Sequence, residues 1–209
     1  MRTEKYIEQK KRLPETGKHI IGRLENECLI VYQAFNNQVA DYAVKQQKFG
    51  GPHYSFNRMS WIKPGFLWMM HRAGWATKEN QQRIVGISLP LVYFKTILSQ
   101  ATVTSFDNEL FGSIEGWKAE LEKTDVRLQW DPDHDPFGNN QERKAIQVGM
   151  KGEMLKRFCT EWITGIEDIT AFVKEEYDKV LKNNISDLNV PYEEIIELDD
   201  EIIKKRVGL

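Results

Sequence analysis

The chain has 209 residues, with 29 Lys and Arg against 31 Asp and Glu, and a formal net charge of −2. Its hydrophobic share of 41% is typical of a folded globular protein and excludes a disordered chain. The near-neutral balance excludes a globally basic nucleic-acid coat but allows a local basic cleft. The charged N-terminal residues lack the apolar centre of a signal peptide, and residues 66–70 are too short an apolar run to span a bilayer. We therefore expect a soluble, cytoplasmic protein with no membrane contact.

Hydrophobic periodicity and turn residues divide the chain into strands and helices. The apolar run from Cys28 to Phe35 predicts a buried strand, and Asn36 is placed to cap the helix that follows, to about residue 45. Residues 131–141 are polar and predict a loop. The other predicted helices are 64–73, 91–100, 113–123, 152–159 and 168–182, and the other predicted strands are 83–89, 126–130, 145–148 and 162–166.

Strands and helices mix without a strict β-α-β rhythm, which favours the α+β class. We expect one compact α+β domain over residues 19–185, with a mixed or mainly antiparallel, bent sheet flanked by helices. A polar N-terminal arm, residues 1–18, precedes this domain, and an acidic C-terminal tail, residues 186–209, follows it.

The densest group of candidate ligand-binding side chains lies between residues 58 and 75. Cationic or titratable side chains alternate there with three tryptophans: Arg58, Trp61, Lys63, Trp68, His71, Arg72 and Trp75. Cations bond phosphates and aromatic rings stack on bases, so the pattern predicts a site for a nucleotide ligand or for RNA or DNA. The alternative is a buried aromatic helix whose arginines reach the surface.

The start of the predicted helix 64–73 suggests an anion-binding seat. The amides of Gly65 and Phe66 are free of helical partners there, and Lys63 lies just ahead of them. We further expect five cations to converge on one cleft, because isolated charges in apolar elements are costly to bury. These five are Arg58, Lys63, Arg72, Arg127 and Arg143.

Two later segments supply further candidates. Strand alternation places Arg127 and Gln129 on one face, with Asp131 continuing that side. In the strand near 145–148, Arg143 and Gln147 share a face, and we expect all five of these side chains to bind the ligand. Glu142, beside that strand, could stabilise a cationic transition state, or it could form a surface ion pair.

Aspartates at positions 131, 133 and 135, with Glu142 further on, have the spacing of a calcium loop. Pro136 stands where such a loop requires a glycine, so we expect no metal and predict a turn whose aspartates accept bonds from backbone amides. No phosphate-binding glycine motif and no HExxH spacing is present.

Five segments of the chain have a distinctive sequence. They are VYQAF at 31–35, RMSWIKPGFLWMM at 58–70, VRLQWDP at 126–132, RKAIQVG at 143–149 and IEDIT at 166–170. These segments resemble the family filed as domain of unknown function 4291, and the likeness covers roughly residues 18–175. Ser60 stands for the usual Thr of that family and Gly65 for the usual Ser. The family brings no assigned activity with it.

To a lesser degree the chain resembles ADP-ribosyltransferase-like folds, which are α+β domains that grip NAD across a bent sheet. That resemblance implies a polar residue on an early strand, an aromatic residue beside the nicotinamide and a late glutamate. Gln33, Tyr32 or Trp61, and Glu142 are the matching residues, with Gln33 and Glu142 as the catalytic pair. The implied function is a nucleotide-binding transferase that moves ADP-ribose from NAD to an unknown acceptor. The alternatives are a non-catalytic nucleotide or nucleic-acid binding module with the same basic-aromatic cleft, and a purely structural protein.

Overall fold

Two larger sheets and the helices around them build the fold, and the computed structural model describes residues 1–209. In chain order the elements are β1 (Thr3–Lys5), α1 (Tyr6–Arg12), β2 (Ile21–Glu25), β3 (Cys28–Phe35), α2 (Asn37–Gln46), β4 (Ser60–Ile62), α3 (Phe66–Ala73), β5 (Arg83–Pro90), α4 (Leu91–Leu98), β6 (Ala101–Val103), α5 (Asn108–Phe111), α6 (Ile114–Lys123), β7 (Val126–His134), β8 (Asn140–Met150), α7 (Gly152–Arg157), a π-helical turn (Phe158–Trp162), β9 (Gly165–Asp168), α8 (Thr170–Leu181), β10 (Asn189–Pro191), β11 (Glu194–Ile195) and α9 (Glu201–Val207). The predicted single α+β domain is confirmed.

The central sheet has five strands in the order β11-β2-β3-β5-β9, and every neighbouring pair is antiparallel. Strand β3 pairs with β5 along its whole length, from Cys28 opposite Pro90 to Phe35 opposite Arg83. Successive residues of β3 enter different hydrophobic cores, with Leu29 in the larger one and Ile30 in the smaller one. A strand covered on both faces needs a continuous apolar run, which is why its sequence does not alternate.

The smaller core holds most of α3. Helix α3 is apolar almost all round and contributes Phe66, Met69 and Met70 to this core, with Val173 of α8 beside them. Gly74 ends the helix in the left-handed conformation that glycine adopts without strain. The predicted helix 64–73 is therefore present from Phe66, and it is buried as its composition indicated.

The second sheet has the order β4-β8-β7-β6, with one parallel pair, β6 and β7. Strands β7 and β8 form a long hairpin, so the loop predicted over 131–141 is wrong for most of its length. Its polar residues lie in paired strands, where Asp133 and His134 are buried, and polarity alone does not distinguish such strands from a loop. The strand register shifts between Pro132 and His134, and in the turn that follows Asp135 Oδ1 accepts bonds from the amides of Phe137 and Asn139, each 2.9 Å long.

Both ends of the chain pack onto the domain. Strand β1 pairs with β10, which joins residues near position 3 to residues near position 191. Strand β11 adds an edge to the central sheet, and Ile203 and Val207 of α9 enter the larger core. Residues 1–18 and 186–209, expected as a polar arm and an acidic tail, thus contain paired strands and packed helices. None of the helices combines the length and the apolar character that a membrane crossing requires.

Glu193 fixes the C-terminal segment to the start of α3. Its side chain is buried, and Oε1 accepts a 2.7 Å bond from the amide of Phe66, the first residue of the helix. A carboxylate at a helix N-terminus satisfies an amide that has no partner within the helix. Burial nevertheless dominates and raises the pKa of Glu193 to about 8.

This pKa predicts how stability depends on pH. A carboxyl group whose pKa is raised in the folded state binds its proton more tightly there, so its contribution is present at low pH. That contribution is lost as the pH rises from about 4.5, the ordinary value for Glu, towards about 8. We expect Glu193→Gln, which cannot ionise, to lose less stability over that range than the wild type. Urea unfolding near pH 4.5 and near pH 8 measures the free energy of unfolding of both proteins. An equal loss of that free energy in the two proteins would contradict the prediction.

Candidate functional site

A cleft of about 820 Å³ opens where β3, β4 and the second half of α3 meet the hairpin β7-β8. Seven of the predicted site residues line it: Gln33, Arg58, Trp61, Lys63, Arg72, Gln129 and Gln147. The other six do not line it: Tyr32, Trp68, Arg127, Asp131, Glu142 and Arg143. The predicted residues that line the cleft therefore come from the dense segment 58–72 and from one polar position on each of three strands.

The two sheets are joined at the base of the cleft by a pair of backbone bonds. The amide of Tyr32 donates to the carbonyl of Lys63 at 2.7 Å, and the amide of Lys63 donates back to the carbonyl of Tyr32 at 3.2 Å. This bridge places Gln33 beside β4. The Gln33 side-chain amide donates to Ser60 Oγ at 2.8 Å and to the carbonyl of Trp61 at 3.0 Å.

Lys63 has an unusual environment for a lysine. Its side chain is only 5% exposed although it lines the cleft, and its amine makes no hydrogen bond and no ion pair. The nitrogen Nζ lies 5.2 Å from the centre of the Trp68 ring. Burial first, and then the nearby charge of Arg72, lower the pKa of Lys63 to about 7, while Asp131 acts in the opposite direction. The neutral amine is therefore well populated at neutral pH.

Two arginines add positive charge to the same cleft. Neither Arg58 nor Arg72 has a carboxylate within ion-pair distance, and Arg72 makes only a 3.4 Å contact with Gln81 Oε1. Glu79 is the one acidic residue that lines the cleft. The cleft consequently carries an excess of positive charge that the chain itself does not neutralise.

Side-chain amides form the polar floor. The Gln147 amide donates to Gln129 Oε1 at 2.6 Å and to Asp131 Oδ2 at 2.7 Å, so Asp131 touches the cleft residues from behind. Burial raises the pKa of Asp131 above its usual range. The oxygen Oε1 of Gln33 is buried and has no hydrogen-bond partner. A buried acceptor without a partner is costly, and a ligand that donates to it would remove that cost.

Trp61 forms a wall of the cleft because Gly149 leaves room for it. A Cβ atom at position 149 would lie 2.8 Å from the Trp61 ring and 2.7 Å from Met59 Sδ. Strand β4 pairs with β8 so that Trp61 stands directly opposite Gly149. The glycine therefore lets the indole lie flat against the strand.

Two of the five cations expected to converge lie elsewhere, so that expectation is wrong for Arg127 and Arg143. Arg143 forms a buried ion pair with Asp133, with Nε and Oδ2 2.6 Å apart. Arg127 Nη2 donates to the carbonyl of Leu121 at 3.2 Å. Arg143 is thus neutralised within its own chain, whereas Arg127 makes one bond and its Nε has no partner, and neither guanidinium lines the cleft.

Three other predicted features differ in the structure. Glu142 is exposed and outside the cleft, so it does not face the side chain of Gln33. Tyr32 is fully buried with its ring 5.6 Å from that of Phe66, and it belongs to the smaller core. The anion seat at 65–66 is wrong, because the Phe66 amide is already bonded to Glu193, which lies 127 residues away in sequence.

Several cleft residues were missed by sequence analysis. Residues 53–55 and 79–81 contribute His53, Tyr54, Ser55, Glu79, Asn80 and Gln81 to the lining. They lie outside the helices and strands, where hydrophobic periodicity gives no signal. Aromatic residues such as Tyr54, close to Gly50 and Gly51, were a weak indication of a site. No group of three or more His, Cys, Asp or Glu side chains is placed to hold a metal ion.

The family described as Domain of unknown function (DUF4291) matches residues 19–196, which include every residue that lines the cleft. Because this match covers most of the chain, the protein belongs to the DUF4291 family. No curated protein matches it.

Two substitutions distinguish a core residue of the segment 58–72 from a residue that lines the cleft. Trp68 is buried beneath Lys63, so Trp68→Ala should lower the free energy of unfolding by about 3–5 kcal/mol. Lys63→Met removes a buried amine that has no partner, and it should leave that free energy unchanged or raise it. Urea denaturation of both variants measures the contrast. A Lys63→Met protein that unfolds as readily as Trp68→Ala would show that the lysine is structural.

Proposed function

We propose that the cleft binds a nucleotide. The observation that carries this proposal is that Arg58, Lys63 and Arg72 line one cleft with no carboxylate partner for any of them. Guanidinium groups left free in this way match the geometry and charge of phosphate oxygens. The cleft volume of about 820 Å³ also falls within the usual range of roughly 300–1,000 Å³ for small-molecule sites.

The other groups of the cleft suit a flat, polar ring. Trp61 offers an aromatic face, and stacking on such a face tolerates any base. Gln33 Oε1 is an acceptor without a partner, while Gln129 offers its side-chain N–H groups and Gln147 its side-chain oxygen at the floor. A base or a carboxamide that donates to Gln33 would therefore complete the hydrogen bonding of the site.

Transfer of ADP-ribose from NAD is the second candidate function. The favouring observation is that Gln33 Oε1, free to accept from a nicotinamide carboxamide, shares the cleft with Gln147, which holds the carboxylate of Asp131. A carboxylate behind the floor could oppose the positive charge that develops on the ribose as nicotinamide leaves. In this version Asp131 takes the role first expected of Glu142, and NAD is the only cofactor.

A non-catalytic module for short RNA or DNA would use the same cations and the same indole. We place either activity in the cytoplasm, because both cysteines, Cys28 and Cys159, are free thiols and a reducing compartment keeps them so.

Removing one cleft arginine should weaken ATP binding. Arg58→Ala and Arg72→Ala should each cost about 1.5–3 kcal/mol of binding free energy, the usual range for a hydrogen bond to a charged group. Isothermal titration with ATP, NAD and a short single-stranded RNA measures this loss and shows which ligand class is preferred. The matched control is Arg157→Ala, since Arg157 lies outside the cleft beside Glu161. Equal affinities of the cleft variants and the control for every ligand would refute the proposal.

Release of nicotinamide from NAD separates the enzyme from the binding module. We expect Asp131→Asn to slow release by about 100-fold, as for the loss of one group that stabilises a developing charge. Glu142→Gln makes the same carboxylate-to-amide change outside the cleft and should leave the rate unchanged. Chromatographic detection of free nicotinamide gives both rates. NAD binding without any release would instead identify a binding module.

A further inference from the structure

Lys63 differs from the other two cations of the cleft, because its amine is buried while theirs are exposed guanidinium groups. We propose that the Lys63 amine is a nucleophile that forms an imine with an aldehyde carried by a phosphate-bearing ligand in the cleft. The inference rests on the proposed function, since Arg58 and Arg72 must first hold the phosphate.

The position of Lys63 is fixed by the backbone. The paired bonds with Tyr32 hold its main chain at the join of the two sheets, so only the side chain is free to move. Pro64 follows it and restricts its backbone further. The amine therefore reaches the cleft from a rigid base, which is the arrangement that a reacting group requires.

The amine is also free to react. It donates to no acceptor and pairs with no carboxylate, and Nζ lies over the Trp68 ring, 5.2 Å from the ring centre. The nearby charges are Arg72, which opposes protonation, and Asp131, which favours it. With a pKa of about 7, about half of this amine is neutral at pH 7 and has a free lone pair. An ordinary lysine is almost fully protonated at that pH.

The reaction needs no further reagent. The nitrogen lone pair forms a bond to the carbonyl carbon, and the carbonyl π electrons move to oxygen. A proton transfers from nitrogen to that oxygen, which then leaves as water with a second proton when the C=N bond forms. The balance is one aldehyde plus one amine giving one imine plus one water. The substrate class is a sugar phosphate or a nucleotide with a free aldehyde, such as an open-chain ribose that carries a phosphate.

Pyridoxal 5′-phosphate is a suitable probe, because it combines a phosphate, a flat ring and an aldehyde. The purified full chain is incubated with it in an amine-free buffer at neutral pH, reduced with borohydride and mapped by peptide mass spectrometry. We expect the adduct at Lys63 to form at least about tenfold faster than at exposed lysines such as Lys118, because a far larger fraction of the Lys63 amine is neutral. Excess ATP should protect Lys63, and pyridoxal without the phosphate should label it at least about tenfold more slowly.

Lys63→Met should abolish the fast adduct, whereas the matched control Lys118→Met should retain it. Adducts spread over the exposed lysines with no preference for Lys63 would overturn the inference, and this readout needs only the wild-type chain. Fast labelling of Lys63 by pyridoxal and by its phosphate alike would overturn the requirement for a phosphate.

If ATP binds by titration while Lys63 stays unlabelled, the inference fails and nucleotide binding stands. If Lys63 is labelled preferentially while no nucleotide binds, nucleotide binding fails and the reactive amine stands.

Discussion

The pair of backbone hydrogen bonds between Tyr32 and Lys63 is the contact on which the site depends. It joins the end of β4 to the centre of β3 by main-chain hydrogen bonds, so the position of the two sheets is fixed at the base of the cleft. Gln33 lies in β3 of the central sheet and Trp61 in β4 of the second sheet, and no other strand pairing brings these two residues together. With the bonds between Tyr32 and Lys63, a polar position of one sheet lies against an aromatic position of the other, and the space between them becomes the cleft.

Buried polar groups in this protein fall into two kinds. Most are satisfied by their own chain: Arg143 by Asp133, and the Phe66 amide by Glu193. On the cleft, Lys63 makes no ion pair and Gln33 Oε1 accepts no bond, and buried atoms elsewhere, such as Arg127 Nε and His134 Nδ1, also lack a partner. Because a ligand reaches only groups that line a cleft, Lys63 and Gln33 are the two of these groups that a ligand could pair. The same contrast explains why Arg143, equally cationic, is a structural residue.

The segment 58–75 contributes both to the smaller core and to the lining of the cleft. Phe66, Met69 and Met70 bury one side of α3 in the smaller core, while Arg72 remains on the cleft. The two interpretations of this segment, a buried aromatic helix and a ligand site, are therefore compatible with each other. A helix that is anchored by its apolar residues is also the rigid support that a binding site needs.

The sequence by itself determined the features that depend on neighbouring residues. The apolar run of β3, the cap at Asn36 and the aromatic helix α3 follow from local composition and periodicity, and so does the choice of Arg58, Trp61, Lys63 and Arg72 as candidates, all of which line the cleft. Only the tertiary structure decided that Arg143 is paired with Asp133 and that the Phe66 amide is bonded to Glu193, because strand pairing and chain packing bring these partners together. Polar strands such as the β7-β8 hairpin, and terminal strands such as β1, are stabilised by partners across the sheet or far along the chain. Local sequence carries no record of those partners, since each one is fixed only when the sheets assemble.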